Sequence, residues 1–300
     1  MSLIPSIDIS CFLNGTDKYG IANQLARACE DIGFFTITGH GVSDTFLQNV
    51  SDCAFAFFDQ PHAIKDKLIA PGGMGYMRVG GEALAATIDG TIHDYKESLN
   101  LALPPVDTQW PQETLWSNTF LAYFNAMYAL SANLMRIFAM ALQLDENWFN
   151  DKIDHASAIL RLLNYPPMPE IKPGTTWAGA HTDYGILTIL WSPNSSGLQA
   201  QMRTGEWVDV RASRNAFIIN IGDLMMNWTN DRWVSNLHRV VPSENDLNRR
   251  RQSIPFFYNP NPDALIECLP TCKSIDHPPK YQPILARDHL QMKISKAVKM

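Results

Sequence analysis

The sequence predicts a mainly β fold with flanking helices: a double-sheet jelly roll, cupin-like in outline, supported by a helical N-terminal region. Three observations carry this. Past residue 155, short apolar or alternating runs follow one another at strand length: Ala158–Tyr165, Ile186–Trp191, Leu198–Gln201, Trp207–Val210, Ala216–Ile221, Leu224–Thr229, Trp233–Val241 and Ser253–Tyr258. Turn clusters such as Pro166-Pro167, Asn194–Gly197, Thr204-Gly205 and Asn230-Asp231 separate them, which is the texture of a sandwich or barrel. Before residue 155 apolar residues recur instead at helical spacing. No flexible linker divides the chain, so residues 1–154 and 155–300 are expected to form one integrated unit, a helix-and-strand region packed on the β core.

In order, Ile4–Ile9 alternates apolar and polar residues and reads as a short strand. Ile21, Leu25, Ala28, Cys29 and Ile32 mark a helix that Gly33 ends. Phe34–Thr38 is a β-rich run closed by Gly39-His40-Gly41. Ser43 suits the N-cap of a helix with Phe46, Val50, Ala54 and Phe57 on one face, stopped at Gln60-Pro61. The run PGGMGYMRVGG, residues 71–81, reads as a loop; it lacks the glycine spacing of a phosphate cradle. Ser98–Leu103 is a further strand, and Pro104-Pro105 and Trp110-Pro111 bracket a linker. From Glu113 to Leu142 a long helix carries Trp116, Phe120, Phe124, Met127, Leu130, Leu134, Phe138 and Leu142 as core. A short helix follows around Asn147–Ile153, and the chain closes on a basic helical pattern, Arg287–Lys299.

Composition narrows the function. The chain has 300 residues, 46 % apolar and 18 % charged, so it can bury a sizeable core. A net charge of −6 argues against a nucleic-acid partner, which needs a basic face. No signal peptide and no apolar stretch of about 20 residues is evident, so no membrane partner is expected. Five irregularly spaced cysteines (Cys11, Cys29, Cys53, Cys268, Cys272) read as free thiols of a cytoplasmic protein. A monomer is expected.

Chemistry centres on Trp177–Leu190, WAGAHTDYGILTIL. In extended chain, residues two apart share a face, so His181 and Asp183 lean toward one point. Alone, the pair reads better as a hydrogen-bonded His beside a turn Asp, because His-x-Asp recurs by chance. His238, late in WVSNLHRVV, changes the weighting: in a jelly roll a late strand can lie beside an early one. Two imidazoles and one carboxylate, with open positions, make the facial triad of non-haem Fe(II) oxygenases. Arg251 and Ser253, two apart before IPFFY, offer a guanidinium fork and a hydroxyl suited to a carboxylate. Beside Arg249 and Arg250, the same Arg also fits a solvated basic cluster.

His181-Thr182-Asp183, His238-Arg239-Val240 and Arg251-x-Ser253 occur in order. With Cys29–Val42 (CEDIGFFTITGHGV), Asn164–Pro167, Gly205-Glu206-Trp207 and Asn220–Asp223, the chain resembles the Fe(II)- and 2-oxoglutarate-dependent dioxygenases. The branch is the one that holds isopenicillin N synthase and plant flavonoid and gibberellin oxygenases, whose core is a double-stranded β-helix. The resemblance implies Fe(II) on His181, Asp183 and His238. It implies 2-oxoglutarate held through its distal carboxylate by Arg251, Ser253 and Tyr165, O2 as cosubstrate, and ascorbate as a reductant. Leu163-Asn164-Tyr165 departs from the Asn-Tyr-Tyr of many plant members but keeps the Tyr nearest the prolines.

The implied reaction oxidises a C–H bond of a small-molecule metabolite, with succinate and CO2 as coproducts, in secondary metabolism. Hydroxylation, desaturation and oxidative cyclisation all fit. Two alternatives stand beside it: an isopenicillin N synthase-like Fe(II) oxidase without 2-oxoglutarate, and a non-catalytic small-molecule-binding protein on the same fold. For the substrate pocket the candidates are Met74, Tyr76 and Arg78 of the Gly-rich loop, Met225 and Asn227, and Phe257. Arg78 would pair with a carboxylate on an amino-acid-like or other acidic substrate, while the Met and Phe neighbours equally allow a terpenoid or polyketide.

Overall fold

The computed structural model describes residues 4–81, 94–103, 110–168, 176–193, 196–242 and 248–298. The first half supplies β1 (Ser6–Asp8), α1 (Ser10–Leu13), α2 (Lys18–Asp31), β2 (Phe34–Thr38), α3 (Asp44–Phe58), α4 (His62–Lys65), β3 (Gly75–Met77), β4 (Glu97–Ala102), α5 (Thr114–Ala141) and α6 (Asn150–Ile153). Capping residues set the helix starts: Asp17 accepts from Gly20 N at 2.8 Å and Ser43 from Phe46 N at 3.2 Å. Gly33 ends α2 at φ +69°, with its N–H on Ala28 O at 2.9 Å. A Cβ there would meet Val234 O at 1.9 Å, so both backbone conformation and packing demand glycine.

The second half supplies β5 (Ala158–Tyr165), β6 (Ala178–His181), β7 (Leu187–Trp191), β8 (Leu198–Gln201), β9 (Trp207–Asp209), β10 (Phe217–Ile221), α7 (Asp223–Trp228), β11 (His238–Val240), β12 (Arg251–Tyr258), β13 (Leu265–Ile266), β14 (Ile284–Leu285) and α8 (Ala286–Val298). The jelly roll is built from two sheets. The major one runs β1-β2-β10-β7-β12-β5-β4-β3 and the minor one β6-β11-β8-β9. Four of the eight major strands come from the N-terminal half, so the β core is not the work of the second half alone.

Strand alternation gives the major sheet two unlike faces. Leu160 and Leu162 of β5, Leu187, Ile189 and Trp191 of β7, Phe217, Ile219 and Ile221 of β10, and Ile254, Phe256 and Tyr258 of β12 pack with the helices. There they meet Phe120, Phe124, Met127, Leu134 and Phe138 of α5. Phe124 and Phe256 meet edge-on with centroids 5.0 Å apart. The intervening residues face the minor sheet and line a cavity.

Three local expectations are corrected. Leu224–Thr229 is not a strand: after Gly222 the chain turns into α7, which starts at Asp223 and buries Leu224, Met225 and Trp228. Leu and Met favour a helix once the backbone is turned. Of Trp233–Val241 only His238–Val240 pairs as a strand, because the start of the run is tied to the end of α2 instead: Val234 N donates to Cys29 O and Asn236 Nδ2 to Ile32 O, each at 3.0 Å. Part of the Gly-rich run is an edge strand, β3, with Tyr76 opposite Leu99 of β4. The Pro104-Pro105 linker, the Asn194-Ser195 part of one turn and His93 lie outside the described residues. Among the described residues no helix is long and apolar enough to cross a membrane.

Candidate metal centre

β6 and β11 pair antiparallel with His181 directly opposite His238. Their rings stand 4.2 Å apart between centroids. Asp183, two residues past His181 and just beyond the end of β6, points its Oδ1 at both, 3.9 Å from His181 Nε2 and 3.7 Å from His238 Nε2. One donor atom from each of the three lies within 4.8 Å of the others.

The remaining polar atom of each side chain is already held. His181 Nδ1 meets Gly179 O at 2.7 Å and His238 Nδ1 meets Asn236 O at 3.1 Å. A ring nitrogen against a carbonyl must carry the proton, so Nε2 of each ring keeps its lone pair for the centre. Asp183 Oδ2 accepts from Thr188 Oγ1 at 2.5 Å and Asn220 Nδ2 at 2.7 Å, which leaves Oδ1 facing the imidazoles. Burial, and then the neighbouring His238, hold the His181 imidazolium well below its usual range, so the ring stays neutral. Burial pulls the Asp183 carboxyl upward. The two imidazoles, Asn220 and Thr188 outweigh it, and the group stays ionised. Two imidazole nitrogens and one anionic oxygen, with no thiolate, fit a divalent iron with open positions.

From this triad the cavity runs along the inner face of β5 and β12 and leaves roughly 560 Å³ of empty space, its mouth included. Arg251 lies opposite Tyr165 in the register, its guanidinium 4.7 Å from that ring and 5.8 Å from Trp177. Its Nε donates to Ser196 O at 2.8 Å. Ser253 Oγ is 3.5 Å from Tyr165 Oη. A buried network behind the strand fixes this end: Glu97 accepts from Lys65 Nζ at 2.8 Å, Tyr76 Oη at 2.5 Å and Asn164 Nδ2 at 2.7 Å. Arg250 Nε in turn donates to Asn164 Oδ1 at 2.5 Å.

Of the substrate-pocket candidates, only Phe257 lines this cavity. Tyr76 is buried on the opposite face, in the Glu97 network. Met74 is half-buried before β3, and Arg78 is exposed and paired with Asp66. Met225 is buried in the apolar core of α7, and Asn227 is half-buried on the same helix. The helical turn at Asp223 rotates both away from the direction a strand would give them.

Residues not singled out from the sequence also line the cavity: Phe34, Lys96, Arg161, Thr188 and Asn220. Lys96 pairs with Asp94 at 2.6 Å, and Asp94 accepts from Gly179 N at 3.0 Å, two residues before His181 in β6. Two carried a signal. Thr188 interrupts the apolar run ILTIL, and Asn220 opens the Asn220–Asp223 motif.

Comparison with known proteins agrees with the geometry. Residues 4–122 match the model of the non-haem dioxygenase N-terminal region named for morphine synthesis, and residues 156–260 match the 2OG-Fe(II) oxygenase superfamily. The 2-oxoglutarate-Fe(II) type oxidoreductase hxnY of Emericella nidulans is 34 % identical over 95 % of this chain and 87 % of its own length. Homoarginine-6-hydroxylase 2-ODD-233 of Oryza sativa subsp. japonica is 31 % identical over 97 % of this chain and 94 % of its own. A full-length Neurospora crassa protein, crystallised in complex with alpha-KG and thymine, superposes with a TM-score of 0.89 at 30 % identity, covering 98 % of this chain and 97 % of that one.

This chain therefore belongs to the 2OG-Fe(II) oxygenase superfamily; it is an oxidising enzyme that depends on Fe(II) and 2-oxoglutarate. The oxidase alternative without 2-oxoglutarate is not favoured.

Proposed function

We propose that His181 Nε2, Asp183 Oδ1 and His238 Nε2 hold the iron, and that Arg251, Ser253 and Tyr165 hold the distal carboxylate of 2-oxoglutarate. The observation that carries the reading is that the other polar atom of each triad residue is already tied down, leaving three donors directed at one point. Iron bound there, with 2-oxoglutarate and O2, supplies the power to oxidise a substrate C–H bond, with succinate and CO2 as coproducts. The chain's own work is positioning. Thr188 and Asn220 keep Asp183 turned, and the Glu97–Asn164–Arg250 network keeps β5 and β12 in register behind the anchor. Residues 1–154 and 155–300 act as one unit: the first half packs its helices on the major sheet and adds four strands to it, and its Phe34 and Lys96 line the cavity.

The relatives name small molecules as their own substrates or ligands, homoarginine for one and thymine for another. For this chain we read a small molecule bearing a carboxylate. In place of Arg78, Arg161 supports it, lining the cavity on the same face of β5 as Tyr165 and four residues away. At ~3.3 Å per residue that is roughly 13 Å, about twice the span of a five-carbon diacid. Arg161 thus lies beyond the cosubstrate, on the substrate side. The free state of all five cysteines supports a reducing compartment such as the cytoplasm.

Succinate release in the presence of Fe(II) and 2-oxoglutarate tests the reading. Arg251→Ala should raise the KM for 2-oxoglutarate roughly 100-fold, the scale for truncating one partner of a buried charge pair. An unchanged KM removes the anchor assignment. Arg161→Gln should leave that KM alone and remove the advantage of acids over their methyl esters as stimulators of turnover. Equal response to acids and esters in the unaltered enzyme refutes the carboxylate reading.

A further inference from the structure

Asp223 is buried at the start of α7, with its side chain 5 % exposed, and contacts every segment that carries the triad. Its backbone N–H donates to Asp183 O at 2.8 Å. Its Oδ2 accepts from Thr182 Oγ1, between the first two triad residues, at 3.1 Å. Its Oδ1 accepts from Ser235 Oγ, three residues ahead of His238, at 2.6 Å. The counter-charge arrives from far along the chain: Lys293 of α8 reaches Oδ2 at 2.6 Å.

The same helix covers the turn between Asp183 and β7. Lys293 Nζ stands 6.0 Å over the Tyr184 ring, and His289, one helical turn earlier, is buried against the Tyr184 backbone. Beneath, the turn is packed backbone on backbone. A Cβ on Gly222 would meet Gly185 O at 2.3 Å, and one on Gly185 would meet Asn259 Oδ1 at 2.3 Å. The turn is thus packed between Gly222 and Asn259 below and α8 above.

We propose that α8 is a clamp on the metal centre, with Asp223 and Lys293 as positioning residues that set how tightly the iron is held. The inference rests on the assignment of iron to His181, Asp183 and His238. The physical reason lies in the burial of the carboxylate. An ionised group out of water needs a counter-charge. With Lys293 docked, Asp223 stays in place to accept from Thr182 and Ser235, and both triad segments keep their spacing. Without it, the carboxylate turns toward water and releases both hydroxyls. Partners of this kind shift metal affinity by about 10–100-fold.

The test is an anaerobic Fe(II) titration of the full chain, with Co(II) as a second, spectroscopic probe. Lys293→Met should weaken Fe(II) binding about tenfold or more, measured at a temperature where circular dichroism shows the metal-free variant folded. Lys293→Arg should restore the affinity, and Gln291→Ala, on an exposed position of α8, should leave it unchanged. At saturating Fe(II) the KM for 2-oxoglutarate should match the unaltered enzyme. Wild-type affinity in Lys293→Met, or no rescue by Arg, overturns the clamp. If Lys293→Met does not fold, Ser235→Ala decides: it removes one of the two hydroxyl ties and should lower the affinity several-fold, and wild-type affinity there overturns the clamp equally. His181→Ala keeps the two readings apart. Undiminished Fe(II) binding in that variant removes the iron assignment itself, whereas its loss alongside a normal Lys293→Met removes only the clamp.

Discussion

The two faces of the major sheet share every backbone atom and do opposite work. Toward the helices β5, β7, β10 and β12 present Leu, Ile, Phe, Trp and Tyr, and the polar exceptions, Asn164 and Gln252 at one end, are buried and hydrogen-bonded to Glu97 and Ser51. Toward the minor sheet the same four strands present Arg161, Tyr165, Thr188, Asn220, Arg251 and Ser253. A polar group out of water is costly unless it is bonded, and Thr188 and Asn220 on this face end on Asp183. The dry face makes the strands rigid, and that rigidity lets side chains on the other face hold fixed distances. Stability and chemistry are divided by the parity of residue number along one strand.

That division can be broken at either face. The largest effect is expected from Asp183→Ala, which should abolish iron-dependent turnover while circular dichroism reports a largely intact fold; full activity would detach the polar face from function. Next, Phe256→Ala, on the dry face, should cost roughly 3–5 kcal/mol of stability in denaturant unfolding. Its affinity for Fe(II) at temperatures where the variant is folded should stay within a factor of about two. An affinity loss as large as the stability loss would mean the faces are coupled. The smallest and sharpest change is Thr188→Val, which keeps the shape of the strand residue and removes the hydroxyl on Asp183 Oδ2. Metal affinity should fall about tenfold with little effect on stability. A stability loss without an affinity loss would assign Thr188 to the fold instead.

Legibility differed in the same way. Periodicity alone marked α5 from Glu113 to Leu142, against Thr114–Ala141 observed, because its apolar stripe is continuous over 28 residues. Ser43 marked the start of α3, because a cap is a contact between near neighbours. The Met225-Met226-Asn227 run was misleading: its composition fits helix or strand, and the choice fell to the turn at Gly222 and the bond from Asp223 N to Asp183 O. The Gly-rich run misled through proximity in sequence. Arg78 and Tyr76 sit close along the chain, but Tyr76 lies in β3 and turns into the Glu97 network, whereas β3 ends at Met77 and Arg78 meets Asp66 at the surface.

By itself the sequence determined the residue types and their order: a His-x-Asp pair, a later His, an Arg-x-Ser and the apolar alternation that holds them. These are local facts, fixed by side-chain chemistry and by the two-residue repeat of a strand. Only the tertiary structure decided which of them meet. The pairing of β6 with β11 brings His181 opposite His238, across 57 residues of chain, and β5 with β12 brings Tyr165 opposite Arg251. The same holds for the partners with no motif at all. Arg161 joins the cavity wall through strand parity, and Lys293 reaches Asp223 because α8 folds back over the turn. Such contacts are set by long-range packing, which one-dimensional spacing does not encode.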